Sequence, residues 1–226
     1  MQIVHHTACS GGGELTIFHD AIAEDFNRML AELAEDGWNL FDDHREGENE
    51  VAVLKGKEGV LTLSYLPQKS QIRRVDQPGE QLPVDQTGDS LCTPLLTQVK
   101  LCYFTDDCGM TYVIRLRDGR FLLIDGGVGK YDEAEQLMDI LRSQNVLPDI
   151  RIAAWFITHP HGDHFGGFTA LMEQFGGEIT LEKLLFNWPN PDMTGPFSPL
   201  DRFDAVIERY APAVYTPHTG QRFRWP

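Results

Sequence analysis

Three histidines and an aspartate fall within six positions in the stretch THPHGDH, residues 158–164. Imidazole nitrogens are borderline-soft ligands that suit zinc, iron or manganese. In extended backbone, positions two apart project the same way, so His159 and His161 can converge on one ion. Gly162 permits a sharp turn without steric cost. Beyond it, Asp163 and His164 can reach a second position a few ångströms away. An oxygen ligand beside a nitrogen ligand suits a dinuclear centre that shares a water. The competing reading is a polar loop whose histidines bond locally. Each unliganded imidazole at a strand end would then need its own partner, which favours the metal reading. The chemistry expected is metal-assisted hydrolysis, with no serine or cysteine nucleophile. The early run GGGE is not a phosphate loop, because the GK[ST] portion is absent.

The cluster needs a rigid support. IRIAAWFIT, residues 150–158, is a nearly continuous apolar run, as expected of a strand buried on both faces. Reactive groups in α/β sheets lie beyond the carboxyl ends of such strands. TQVKLCYF and MTYVIRLRDGRFLLIDGG read as three strands, with RDGR as the hairpin turn. A helix is expected at about 131–143, with Ala134, Leu137, Ile140 and Leu141 on its apolar side. After the histidines come a helix near 166–175, a strand LEKLLFNW, a helix near 199–210 and a short run AVYTP. Strands alternating with helices make an α/β layered domain.

The chain before it has another grammar. Phe18, Ile22, Phe26, Leu30 and Leu33 fall at helical spacing, which predicts a helix over 18–36 closed by Gly37. WNLF, EVAVL, VLTLSYLP and QIRRV read as short strands, with KGKEG as a turn. This predicts a small helix-plus-antiparallel-sheet domain over 1–90, with an accessory or interaction role. His5, His6 and the GGG run are expected to be solvated terminal residues. Residues 76–94 are rich in Pro, Gly, Gln and Asp and read as a linker, which leaves 91–226 for the α/β domain.

The bulk numbers constrain partners. Thirty-four acids against 19 bases give a net charge of -15, which disfavours nonspecific nucleic-acid binding. No apolar stretch reaches the about 18 residues that span a bilayer. No secretory signal is evident, so a cytoplasmic protein is expected. Cys9, Cys92, Cys102 and Cys108 form no CxxC pair and read as free thiols, with Cys102 in the core.

THPHGDHFGG resembles the signature loop of the metallo-β-lactamase superfamily, and FLLIDGG resembles that superfamily's preceding strand. The resemblance covers about residues 97–226. It implies an α/β (α+β) fold, an αββα layered sandwich incomplete at its C-terminus. His159 and His161 would bind a first metal; Asp163 and His164 would bind a second, with Asp163 orienting the attacking water. Asp125 would brace the loop from below. Two zinc ions are implied, with iron or manganese as substitutes. The substrate would be a small molecule with an ester, thioester, lactam or phosphodiester bond. His218 has two readings, a third ligand of the first metal or part of a loop entering a new strand, and the second is adopted. The alternative to a hydrolase is a catalytically incomplete metal-binding or interaction protein. An uncovered apolar sheet face is expected to meet another chain, as in a homo-oligomer, or the N-terminal domain.

Overall fold

The apolar patterns resolve into two separate cores. The computed structural model describes residues 2–8, 12–81, 90–101, 109–130, 132–188 and 200–226. It divides into one unit of Met1–Val84 with Thr216–Phe223, and a second of Asp85–Tyr215 with Arg224–Pro226. The division expected at 90/91 therefore misses the return of residues 216–223 to the first unit.

Among the described residues, the first unit is a six-stranded antiparallel sheet with one α-helix. Its elements are β1 (Gln2–Ala8), β2 (Glu14–His19), α1 (Ala23–Glu35), β3 (Asn39–Glu46), β4 (Asn49–Lys55), β5 (Gly59–Leu66) and β6 (Gln71–Pro78). The sheet order is β1-β2-β6-β5-β4-β3. Phe26, Met29 and Leu33 of α1 pack on Phe18, Leu54, Leu61, Leu63 and Ile72 of the sheet. Val51, Val53 and Val60 face the other side, where Phe41 and Phe223 pack on them. One expectation fails here. The helix starts at Ala23 rather than 18, because Phe18 is the last inward residue of β2; helical and strand periods both put it inside. His5 and His6 are exposed, as expected, and belong to β1, an edge strand.

Among the described residues, the second unit is one mixed sheet with three α-helices. Its elements are β7 (Leu95–Leu101), β8 (Gly109–Arg115), β9 (Phe121–Ile124), α2 (Glu133–Gln144), β10 (Ile150–Ile157), α3 (Gly162–Phe175), β11 (Ile179–Leu181), β12 (Lys183–Phe186), α4 (Asp201–Tyr210) and β13 (Ala213–Tyr215). The order is β13-β12-β10-β9-β8-β7, with β11 beside β10. β9, β10, β12 and β13 run parallel, and β8 is antiparallel to β9. Each parallel step moves the same way across the sheet through a helix. Right-handed crossovers then put α2, α3 and α4 on one face. Leu137, Met138, Phe168, Leu171 and Phe203 meet Val113, Leu123, Ile152 and Trp155 there, all fully buried. On the opposite face Leu96 is 64% and Met110 41% exposed. LEKLLFNW is not one strand: it breaks at Glu182, whose carboxylate meets Arg120 at 2.8 Å and Arg151 at 3.2 Å. Cys92 is a half-buried free thiol; the placement expected of Cys102 in the core lies outside the described residues. Among the described residues no helix is long and apolar enough to cross a membrane.

Candidate metal centre

β9 and β10 are parallel neighbours, so their carboxyl ends open at the same edge of the sheet. Asp125 follows β9 directly, and Thr158 and His159 follow β10. Asp125 has φ of +56°, a left-handed conformation that costs a non-glycine residue about 1 kcal/mol or more. Its surroundings hold it there. Its N–H donates to the Phe156 carbonyl at 2.8 Å. Its own carbonyl accepts the Trp155 indole N–H at 2.9 Å and the Thr111 hydroxyl at 2.6 Å. Trp155 and Thr111 are both fully buried, so these bonds form away from competing water.

The strained backbone aims the carboxylate at the histidine loop. Asp125 Oδ1 accepts the Thr158 N–H at 2.8 Å, and both oxygens lie within 3.0 Å of the Thr158 hydroxyl. Asp125 Oδ2 is also 2.9 Å from His164 Nδ1. The hydroxyl of Thr158 is 3.0 Å from His159 Nδ1. It has one proton, which goes to the carboxylate; its lone pair then accepts from His159 Nδ1–H. That tautomer leaves His159 Nε2 as the lone-pair nitrogen.

The ligand loop enters α3 earlier than expected. His161 is the extended residue before the helix, at φ -104° and ψ 145°, and Gly162 is already its first helical position. Gly162 therefore starts a helix, where a sharp turn was expected. Asp163 and His164 lie in the first turn, and Asp163 places its charge at the positive end of the helix dipole. The rings gather: centroids of His159 and His161 are 4.6 Å apart, those of His159 and His164 3.7 Å. His164 Nε2 is 3.6 Å from Asp163 Oδ2. Burial holds the His159 pKa below its usual value, and the neighbouring His164 and His161 push it the same way. A neutral imidazole is the ligating form.

Glycines fix this loop against the end of β9. A Cβ on Gly167 would sit 1.5 Å from the Gly126 carbonyl oxygen, and one on Gly166 2.0 Å from that of Val128. Backbone meets backbone, and Gly167 N–H donates to the Gly127 carbonyl at 3.0 Å. Phe165 and Phe168 of α3, Phe186 of β12 and Trp188 just after it all pack within 5.6 Å of Phe203, centroid to centroid. This aromatic cluster backs the first turn of the helix.

All four expected ligands thus meet at one strand end. Among the described residues, no three are already arranged to grip a single ion. The donor set suits divalent cations, and the two nitrogens of His164 face Asp125 and Asp163. His218 lies in the first unit, in no strand, which overturns the strand-entry reading. Thr158, Thr111 and Trp155 were not foreseen. Only Thr158 had a signal, a hydroxyl residue between the strand and the first ligand.

The family model of the metallo-beta-lactamase superfamily matches residues 106–222, just over half the chain. The chain belongs to this superfamily. The superfamily is largely hydrolytic and commonly binds divalent metals, usually zinc. No curated protein matches the chain. Among solved structures, one titled "Structure of EndoMS in apo form" is similar at 9% identity, with a TM-score of 0.22 over 92% of this chain and 99% of that one. That likeness is too slight to carry an argument.

Proposed function

We propose that the protein is a metal-dependent hydrolase acting on a small molecule with an ester, thioester, lactam or phosphodiester bond. The observation that carries this reading is the meeting of His159, His161, Asp163 and His164 at the end of β10, tied to Asp125 through Thr158. His159 and His161 would hold one divalent cation, and Asp163 and His164 a second, with zinc the first choice. Bound cations of this kind lower the pKa of water to about 7 and polarise a carbonyl or phosphoryl oxygen. Asp163, 39% exposed at the head of α3, orients the attacking water and accepts its proton. Asp125 and Thr158 touch no substrate in this scheme. They fix the direction of the His159 and His164 rings, as outer partners of metal ligands do.

A second reading is a metal-binding or interaction protein without turnover. It is favoured by the absence, among the described residues, of three donors already disposed around one ion. Turnover separates the two. Zinc-loaded chain should hydrolyse bis(p-nitrophenyl) phosphate or a simple thioester. Asp163→Asn should lower that rate by about 10²- to 10⁴-fold while the zinc held by His159 and His161 stays bound. Zinc binding with no hydrolysis of either probe would reject the hydrolase in favour of the binding protein.

A further inference from the structure

The first unit contains a cavity of about 680 Å³ that belongs to no part of the histidine loop. That volume falls in the range of small-molecule sites. Its floor is the helix-bearing side of the sheet near the β1 edge, where Glu14 and Thr16 of β2 adjoin Arg74 and Asp76 of β6. Phe18 and Trp38 supply aromatic surface. Trp38 is half-buried and its ring lies against the Gly56 backbone; a Cβ there would come 2.9 Å from ring carbon Cε3. The indole is thus set in place before any ligand arrives.

Charge distinguishes what could enter. Arg74 is spent on Asp76: its Nε lies 2.8 and 3.1 Å from the two carboxylate oxygens, and its Nη2 2.7 Å from one of them. That pair is neutral as a whole. Two more carboxylates line the same cavity, Glu14 and Glu58. Among the described residues Glu14 is paired with His6, whose Nε2 is 3.6 Å away and whose Nδ1 is 2.9 Å from the Thr16 hydroxyl. The cavity therefore presents unneutralised negative charge beside an aromatic face. That combination attracts a cation with a flat or apolar body, through ion pairing and cation–π contact.

We propose that the first unit carries a binding site for a small organic cation, an amidine, guanidine or amine on an aromatic or apolar body. Trp38 takes the body, and Glu14 and Glu58 take the charged head. An anion of the same shape is repelled by the two carboxylates, while the Nε/Nη2 edge of Arg74 is already held by Asp76.

Benzamidine and benzoate test this on the full chain, because they match in shape and differ in charge. The readout is the indole N–H resonance of Trp38, assigned through Trp38→Phe. Benzamidine should shift it saturably with a Kd on the order of 1 mM, as expected of a fragment of that size. Benzoate should not. The double variant Glu14→Gln/Glu58→Gln, isosteric at two exposed side chains, should weaken benzamidine at least tenfold. Equal binding of benzoate, unchanged affinity in the double variant, or no saturable shift with benzamidine up to about 10 mM would each overturn the proposal.

Discussion

Asp125 concentrates more of the site's energetics than any ligand does. It takes a left-handed backbone, an indole, two hydroxyls and a backbone N–H to hold its carboxylate against Thr158 and His164. Asp125→Ala should lower zinc affinity by about 10- to 100-fold, measured by competition with a chromophoric chelator. Thr158→Val removes the hydroxyl between Asp125 and His159 and should produce a smaller loss in the same assay. An affinity unchanged in both variants would mean the loop orients its rings without outside help. The ligands themselves were legible because four donors in six positions leave few alternatives. Their supports were not: the bonds from Trp155 and Thr111 join residues 30 and 14 positions from Asp125, and nothing local in the sequence announces them.

At the scale of elements, the glycines carry the argument. Gly162, Gly166 and Gly167 weaken the helical pattern of α3, so the sequence places its start several residues late. Gly166 and Gly167 serve contact rather than flexibility, because no side chain fits between them and the segment after β9. Gly167→Ala should cost about 3 kcal/mol or more in denaturant unfolding of the second unit, and zinc affinity should fall with it. Gly177→Ala is the matched control. Its Cβ would meet nothing within 4 Å, so its effect should stay within about 0.5 kcal/mol. β1 and β2 escaped the sequence for another reason. A strand whose last inward residue is Phe18 and a helix beginning there present the same apolar residue inward.

At the scale of the whole chain, the unexpected feature is residues 216–223 rejoining the first unit. Gln221 fastens them: its Nε2 donates to Gln77 Oε1 at 2.7 Å and Thr62 Oγ1 at 3.2 Å, and its Oε1 accepts the His218 N–H at 2.9 Å. Gln221→Ala should lower the stability of the first unit by about 1–2 kcal/mol, read from its denaturant midpoint. Burial holds the His218 pKa below its usual value. Above about pH 6.5 the imidazole is neutral in both folded and unfolded chains, and nothing is lost. Below that, the unfolded chain takes up the proton first, so stability falls until the lowered folded pKa is passed. His218→Asn should flatten this dependence between pH 7 and pH 5 in thermal unfolding of the first unit. The fold class and the change of grammar near residue 90 were visible in composition and periodicity. The return of the C-terminal segment was not, because apart from Phe223 its anchors are polar side chains scattered from Thr62 to Gln221.

Zinc content after exhaustive dialysis is the most direct test of the metal centre. The full chain should retain two equivalents, and a variant with His159, His161, Asp163 and His164 all changed to Ala should retain none. Retention of the same amount by both proteins, or of none by the unaltered chain at micromolar free zinc, would contradict the assignment.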